Sequence, residues 1–84
     1  MYSVHVESRP EKELDMLPRE NHGRILQRIK ALSEEPRPHG CTKITGSKSD
    51  WRIRVGDYRI VYEIDDLRKE IRIMRVRHRR EAYR

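Results

Sequence analysis

The sequence WRIRVGDYRIVYEIDD, at residues 51–66, carries the clearest structural signal in the chain. Apolar and polar residues alternate on both sides of Gly56-Asp57, a dipeptide typical of a two-residue hairpin turn. A period of two residues is the pattern of a half-buried β-strand, so we predict strands at 51–55 and 58–64. One face of this hairpin is apolar and has to pack against another layer of the protein.

A third strand is expected at residues 71–78, but its alternation is interrupted. Ile71 and Ile73 share one face, whereas Met74 and Val76 share the other. Two interpretations remain open. The strand is either central and covered on both faces, or it contains a β-bulge near Ile73.

The N-terminal segment predicts a strand and a short helix. Residues 2–6 alternate tyrosine and valine with polar residues, as a short strand does. An S-x-x-E capping box at residues 8–11 starts a helix with Pro10 in its first turn, and Pro18 ends that helix near Leu17.

A second helix is predicted from about Pro18 to Glu35. Its apolar positions follow the 3.6-residue period and form one stripe: Ile25, Leu26, Ile29 and Leu32. On the other faces we expect Arg24, Arg28 and Lys30 to be solvated. Residues 36–50 are rich in proline, glycine and small polar residues, and predict a loop with one short extended piece at Lys43 and Ile44.

These elements predict a single α+β domain over residues 1–84. Their order is β-α-α-β-β-β, with the helical hairpin packed on one face of a small, mainly antiparallel sheet and the other face left open. The chain has no apolar run long enough to span a membrane and no recognisable signal peptide, so we expect a cytoplasmic protein. Cys41 is alone and is interpreted as structural, and the four histidines lack the spacing of metal ligands.

The net charge of +6 is concentrated in the second half of the chain. Residues 1–42 hold seven basic and seven acidic side chains, whereas residues 43–84 hold thirteen basic and seven acidic ones. Most of these basic residues are arginines. Arginine is better suited to binding phosphate than to serving only as a solubilising charge. The pattern favours a polyanionic partner such as nucleic acid, although a solvated basic face is the alternative.

The predicted hairpin places Arg52, Arg54 and Arg59 together on the face opposite its apolar residues. Like charges this close on a sheet repel one another unless an anion is expected there. The end of the third strand is expected to carry His78 and the residues after it towards the same region. We therefore predict a phosphate-binding surface.

The two stretches WRIRVGDYRIVYEIDD and IRIMRVRHRREAYR, with the KITG segment at 43–46, together resemble the RelE/ParE toxin superfamily over nearly the whole chain. RelE-type toxins cleave messenger RNA in the ribosomal A site, and a cognate antitoxin neutralises them. The resemblance therefore implies the toxin of a type II toxin-antitoxin system, acting as a metal-independent endoribonuclease without a cofactor. Its implied partners are an antitoxin and the ribosome with messenger RNA in the A site.

The resemblance also implies roles for individual residues. Arg59 and Arg79 would hold the scissile phosphate and stabilise the transition state, and Tyr83 would stack on or orient a base. Some RelE-type toxins carry lysines where this chain has Arg52 and Arg54, which keep their protons and are expected to bind phosphate. His78, whose side chain titrates near pH 6.5 when unperturbed, is the candidate general base. The phosphate-binding candidates are Lys43, Arg52, Arg54, Arg77 and Arg80.

Three points remain open at this stage. Either Arg79 or Arg80 corresponds to the catalytic arginine of the family. A ParE-like protein would share the fold and inhibit DNA gyrase without a nuclease site, and the basic tail with its tyrosine argues against this. The third interpretation is a non-catalytic module that binds nucleic acid or the ribosome. The absence of the lysines found in some RelE-type toxins argues for it.

Overall fold

The hairpin forms as its alternation predicts, and it lies in the middle of a five-stranded sheet with strand order β1-β5-β4-β3-β2. The computed structural model describes residues 1–82. The elements in chain order are β1 Ser3–Val6, α1 Ser8–Asp15, α2 Arg19–Ala31, β2 Thr42–Lys43, β3 Asp50–Val55, β4 Tyr58–Asp65, β5 Glu70–His78 and α3 Arg79–Ala82. The β1 strand is parallel to β5 and all other pairings are antiparallel, which confirms the predicted α+β arrangement.

The apolar face of the sheet packs under α1 and α2. The helices contribute Leu14, Ile25, Ile29 and Leu32 to the core, and the sheet contributes Ile53, Val55, Ile60, Tyr62, Ile64, Ile71, Ile73 and Val76. Burying one such aliphatic side chain stabilises a fold by roughly 1.5–3 kcal/mol. This single apolar layer holds the sheet against the helices and leaves the opposite face open.

A β-bulge interrupts the pairing of β4 with β5. Val61 pairs with Arg75 and Tyr62 pairs with Ile73, so Met74 is the extra residue on β5. A bulge shifts the alternation by one residue, and Val76 therefore returns to the buried face that Ile73 occupies. The bulge interpretation of this strand is confirmed.

A carboxylate from α1 covers the edge of β5 beyond the reach of β1, which pairs with residues 70–73 of that strand. The Val76 N–H donates to Glu13 Oε1 at 2.8 Å. Nε and Nη2 of Arg75 donate to Glu13 Oε2 at 3.1 and 2.9 Å. Glu13 thus satisfies a main-chain donor that a neighbouring strand would otherwise pair with, and it fixes α1 to the bulged strand.

The start of α1 and the end of α2 differ from the sequence prediction. Ser8 lies inside α1 and the N-cap is Glu7, which makes no side-chain capping hydrogen bond, so the predicted capping box is wrong. The second helix ends at Ala31, before the predicted Glu35. After it the chain turns towards β1, where the Tyr2 N–H donates to Ser33 O at 2.9 Å and this contact competes with further helix.

A polar cluster closes the end of the sheet that is distant from the β3–β4 turn. Asp66 accepts hydrogen bonds from Arg37 Nη2 at 2.8 Å and from the Tyr2 hydroxyl at 2.6 Å. The Arg37 guanidinium lies 5.0 Å from the ring centroid of Trp51. The hydrogen bond from Arg37 lowers the pKa of Asp66, and the bond from Tyr2 adds to this effect. Arg37 thereby ties the segment after α2 to the turn between β4 and β5, where Tyr2 at the start of β1 also binds.

We predict that Glu13→Ala lowers the free energy of unfolding by about 2 kcal/mol, because charge-assisted hydrogen bonds are lost and a half-buried main-chain donor loses its acceptor. Urea denaturation followed by circular dichroism measures this change. Glu34→Ala, which removes an exposed carboxylate beyond α2, is the control and should shift the midpoint little. Equal midpoints for the two variants would mean that Glu13 does not hold the strand.

Candidate functional site

Three arginines occupy directly opposed positions on the open face of β3, β4 and β5. Arg54 pairs with Arg59, and Arg59 pairs with Arg77. Directly opposed residues on adjacent antiparallel strands have Cβ atoms roughly 4.5–5.5 Å apart. Arg59 is only 9% exposed, and among residues 1–80 it is the charged side chain that is buried. We call these three residues the arginine row.

Arg79 lies beside the row because α3 begins directly after β5. Its N–H donates to Asp57 O at 2.6 Å, and its Nη1 lies 3.8 Å from Asp57 Oδ1. A depression in the surface is lined by Arg54, Gly56, Asp57, Tyr58, Arg59 and Arg79. A second depression is lined by Gly40, Thr42, Arg52, Ile53, Arg54 and Arg59. Since both share Arg54 and Arg59, they form one continuous basic surface.

The opposite end of the open face carries acidic side chains together with one arginine. Asp50 pairs with Glu63 across β3 and β4, and Glu63 pairs with Arg72 on β5. Arg72 Nε lies 3.1 Å from Glu7 Oε1, and its Nη1 lies 3.7 Å from Glu63 Oε1. The open face therefore has a strong charge gradient, and an anion is attracted to the end that carries the arginine row.

His78 lies on the other face of the sheet. It pairs with Tyr58, and the two rings are edge-to-face at 5.2 Å and 89°. Its Nδ1 accepts a hydrogen bond from the Arg80 N–H at 3.2 Å. The neutral ring therefore carries its proton on Nε2, which makes that atom a donor. The strand pattern predicts His78 near the arginine face, but the bulge shifts the alternation and turns it to the helix side.

The remaining candidates are spread over several places. Arg52 lies on the open face, between Thr42 and Val61 in neighbouring strands. Lys43 pairs with Trp51 and therefore shares the face of that residue rather than the face of the arginine row. Arg80 is exposed on α3. Tyr83 lies outside the described residues.

Arg24 is exposed, as predicted, and its guanidinium also reaches the β3–β4 turn. A Cβ atom on Gly56 would come within 3.8 Å of Arg24 Nη2. Arg24 lines a cavity together with Asn21 and His78. The helical period gave no signal for this contact, because it depends on how α2 crosses the sheet.

No helix among residues 1–82 is both long enough and apolar enough to cross a membrane. The same residues contain no group of three or more histidine, cysteine or acidic side chains placed to hold a metal ion.

The fold is similar to that of solved toxins. A chain of the archaeal RelE–RelB complex from Pyrococcus horikoshii is 30% identical, with a TM-score of 0.83 over 93% of this chain and 94% of that one. A chain of the RelB–RelE antitoxin–toxin complex from Methanococcus jannaschii is 28% identical, with a TM-score of 0.79 over 95% of each chain. The isolated RelE toxin of E. coli is 21% identical, with a TM-score of 0.80 over 99% of this chain and 96% of that one, and it shows the shared fold.

No curated protein sequence matches this chain. The family model of the ParE toxin of the type II toxin-antitoxin system parDE matches residues 9–83, which is most of the sequence. The strand order and the helix pair, which the solved toxins share, indicate the same superfamily as this match does. The chain therefore belongs to the ParE toxin family, within the RelE/ParE superfamily, and is the toxin of a type II toxin-antitoxin system.

Proposed function

We propose that this toxin is a ribosome-dependent endoribonuclease that cleaves messenger RNA in the ribosomal A site and so inhibits translation. The observation that carries the proposal is the arginine row, which places Arg59, largely buried, between Arg54 and Arg77 on an open face. A group of guanidinium side chains on an open sheet face attracts anions. An RNA phosphate matches this surface in charge and in its bidentate hydrogen bonding.

The proposed reaction is attack of a 2′-hydroxyl oxygen on the adjacent phosphorus. The new 2′-O–P bond forms as the P–O5′ bond breaks, which gives a 2′,3′-cyclic phosphate and a 5′-hydroxyl. The 2′-hydroxyl gives up its proton and the leaving oxygen gains one. The phosphorane between these states carries extra negative charge, and Arg59 and Arg79 would stabilise it through donors aimed at its oxygens.

Arg52 and Arg54 would position the RNA backbone, because an arginine keeps its proton at neutral pH and does not act as the base. The role of His78 as the base stays a prediction, and the hydrogen bond accepted by its Nδ1 argues against it. A weak acid-base set is compatible with catalysis if the ribosome holds the 2′-hydroxyl in line with the phosphorus, because orientation alone can contribute several kcal/mol.

The partner proposed to control the toxin is a cognate antitoxin. The Pyrococcus horikoshii and Methanococcus jannaschii structures that this chain resembles are complexes of RelE with RelB. We expect an antitoxin that is mostly disordered alone and that lays an acidic or amphipathic segment on the helices and the open basic face. Such a segment would neutralise the charges that the proposed reaction needs.

Inhibition of DNA gyrase is the second candidate function, and the match to the ParE family model favours it. A gyrase inhibitor acts by binding and needs no transition-state contacts. A non-catalytic module that binds RNA or the ribosome is the third. Single substitutions in the arginine surface separate these readings, because only an endoribonuclease loses a chemical step.

We predict that Arg79→Ala lowers the single-turnover rate of messenger RNA cleavage on ribosomes by roughly 10²–10³-fold, the scale for losing one preorganised transition-state contact. Arg80→Ala should have a much smaller effect, because Arg79 lines the depression beside Arg59. Mapping 5′-hydroxyl ends gives the rate, and Lys30→Ala on the exposed side of α2 is the control. Cleavage by Arg79→Ala at the parent rate would refute the assignment.

Free messenger RNA should be cut far more slowly than the same RNA bound in a ribosome, because the toxin's own groups do not orient the 2′-hydroxyl. The two substrates are compared at equal toxin concentration in the same magnesium-containing buffer. Rapid cutting of free RNA would contradict ribosome dependence. DNA breakage that depends on gyrase, with messenger RNA left intact, would favour the second candidate function.

Substitutions of Tyr83 test the proposed contact between its ring and an RNA nucleobase. Tyr83→Ala should lower cleavage, because it removes the stacking ring, whereas Tyr83→Phe keeps that ring and loses only the hydroxyl. Full activity of Tyr83→Phe assigns stacking, and a loss equal to that of Tyr83→Ala assigns the hydroxyl. If both variants cleave like the parent, Tyr83 has no role in the reaction.

A further inference from the structure

A second polar cavity lies across the β3–β4 turn from the arginine row, on the face that the helices cover. We call it the turn cavity. It is lined by Asn21, Arg24, Ile25, Val55, Gly56, Asp57, Tyr58 and His78. Nothing in the proposed cleavage reaction uses Asn21 or Arg24, so this group of side chains needs its own explanation.

The turn cavity and the basic surface around Arg54 and Arg59 meet at the β3–β4 turn. Gly56, Asp57 and Tyr58 line both the turn cavity and the depression that contains Arg59 and Arg79. Only the hairpin turn therefore separates the two cationic sites. A flexible polyanion that is held at one of them can reach the other by crossing the turn.

The Arg24 guanidinium lies close to the backbone of the turn. Gly56 has a φ of +59°, and a Cβ atom there would lie 3.8 and 3.9 Å from Nη2 and Nη1 of Arg24. The carboxylate of Asp57 also lines the cavity, but it lies 3.8 Å from Arg79 on the other side of the turn. Arg24 is thus the cation of the turn cavity, at a position where it can meet a phosphate.

The other polar side chains of the cavity suit a nucleobase. Tyr58 and His78 present two rings held edge-to-face at 5.2 Å. His78 Nε2 carries the proton in the neutral ring and is a donor, because its Nδ1 accepts the Arg80 N–H. The Asn21 amide offers both a donor and an acceptor. A cation, aromatic rings and an amide are the groups with which proteins bind unpaired nucleotides.

We propose that the turn cavity binds a nucleotide of single-stranded RNA next to the cleaved phosphate, with Arg24 on its phosphate and with Tyr58, His78 and Asn21 at its base. This inference rests on the proposed endoribonuclease function. The RNA strand crosses the β3–β4 turn and contacts both faces of the sheet end. In this arrangement His78 contributes to binding as a hydrogen-bond donor and as a ring, and it takes no proton from the 2′-hydroxyl.

The test is equilibrium binding of a fluorescent single-stranded RNA that carries a 2′-deoxynucleotide at the cleavage position, so that no reaction occurs. Arg24→Ala should weaken binding about 5–10-fold and reduce the slope of log K against log salt by about one, as expected for one lost phosphate contact. Arg28→Ala is the matched control, because it removes an exposed arginine one helical turn further along α2. It should change affinity less than about twofold, the level of non-specific electrostatics.

His78 provides a second readout on the same RNA. His78→Phe keeps a ring and should retain more affinity than His78→Ala, and neither variant should alter the salt slope, because no phosphate contact is lost. Messenger RNA and ribosomal RNA are distinguished by repeating the measurement with ribosomes that carry no message. Loss of affinity by Arg24→Ala for the free oligonucleotide supports the inference, whereas a loss confined to empty ribosomes would place ribosomal RNA in the cavity and overturn it.

Equal RNA affinities of Arg24→Ala and Arg28→Ala would overturn the inference, while the proposed function would still stand if Arg79→Ala abolished cleavage. Conversely, RNA binding that depends on Arg24 in a toxin that cleaves nothing would leave the cavity assigned and refute the endoribonuclease. If Arg24→Ala weakens only the complex with the antitoxin, the cavity is a protein contact and the inference fails.

Discussion

The row of apolar side chains under the arginines is the constraint on which the rest of the structure depends. Ile53 pairs with Ile60, and Ile60 pairs with Val76, on the face that the helices cover. On each strand the arginine row lies one residue nearer the end of the sheet that carries the β3–β4 turn, on the opposite face. Since a slip of one residue would exchange the two faces, the burial of the isoleucines and the valine holds the arginines together against their repulsion.

The bulge at Met74 connects this packing to the chemistry of the site. With uninterrupted alternation after Ile73, Val76 would face solvent and Arg77 would be buried under the helices. The bulge reverses both placements, so Arg77 completes the arginine row and His78 turns to the helix side. Glu13 binds the strand directly after the bulge. A carboxylate on the first helix thus supports the register on which the open face depends.

The sequence alone was sufficient to predict the features that depend on the local period of apolar residues. The hairpin at Gly56-Asp57, the stripe that contains Ile25 and Ile29, and the shared face of Arg52 and Arg54 all follow from alternation or from the helical repeat, and the structure confirms them. The register beyond the bulge was left open, because Met74 has no feature that marks it as the extra residue. The predicted capping box failed because Ser8 continues the helix.

Contacts between residues far apart in the sequence could not be predicted from such periodic patterns. Arg24 has the same helical environment in sequence as Arg28, yet only Arg24 meets the β3–β4 turn. That difference follows from the way α2 lies on β3, which is set by the volumes of the core side chains and not by the period of the helix. His78 could have been placed from the register of the hairpin, since it pairs with Tyr58, but only once the bulge was located.

The repulsion within the arginine row links stability to binding. The native state holds like charges close together, so any anion that binds them stabilises it relative to the unfolded chain. A phosphate of RNA and an acidic antitoxin segment would both do this through the same side chains, and each would exclude the other. Neutralisation of the toxin then requires no change in its fold. Under the proposed function, it would require only that the antitoxin bind the row more tightly, at cellular concentrations, than RNA in the ribosome does.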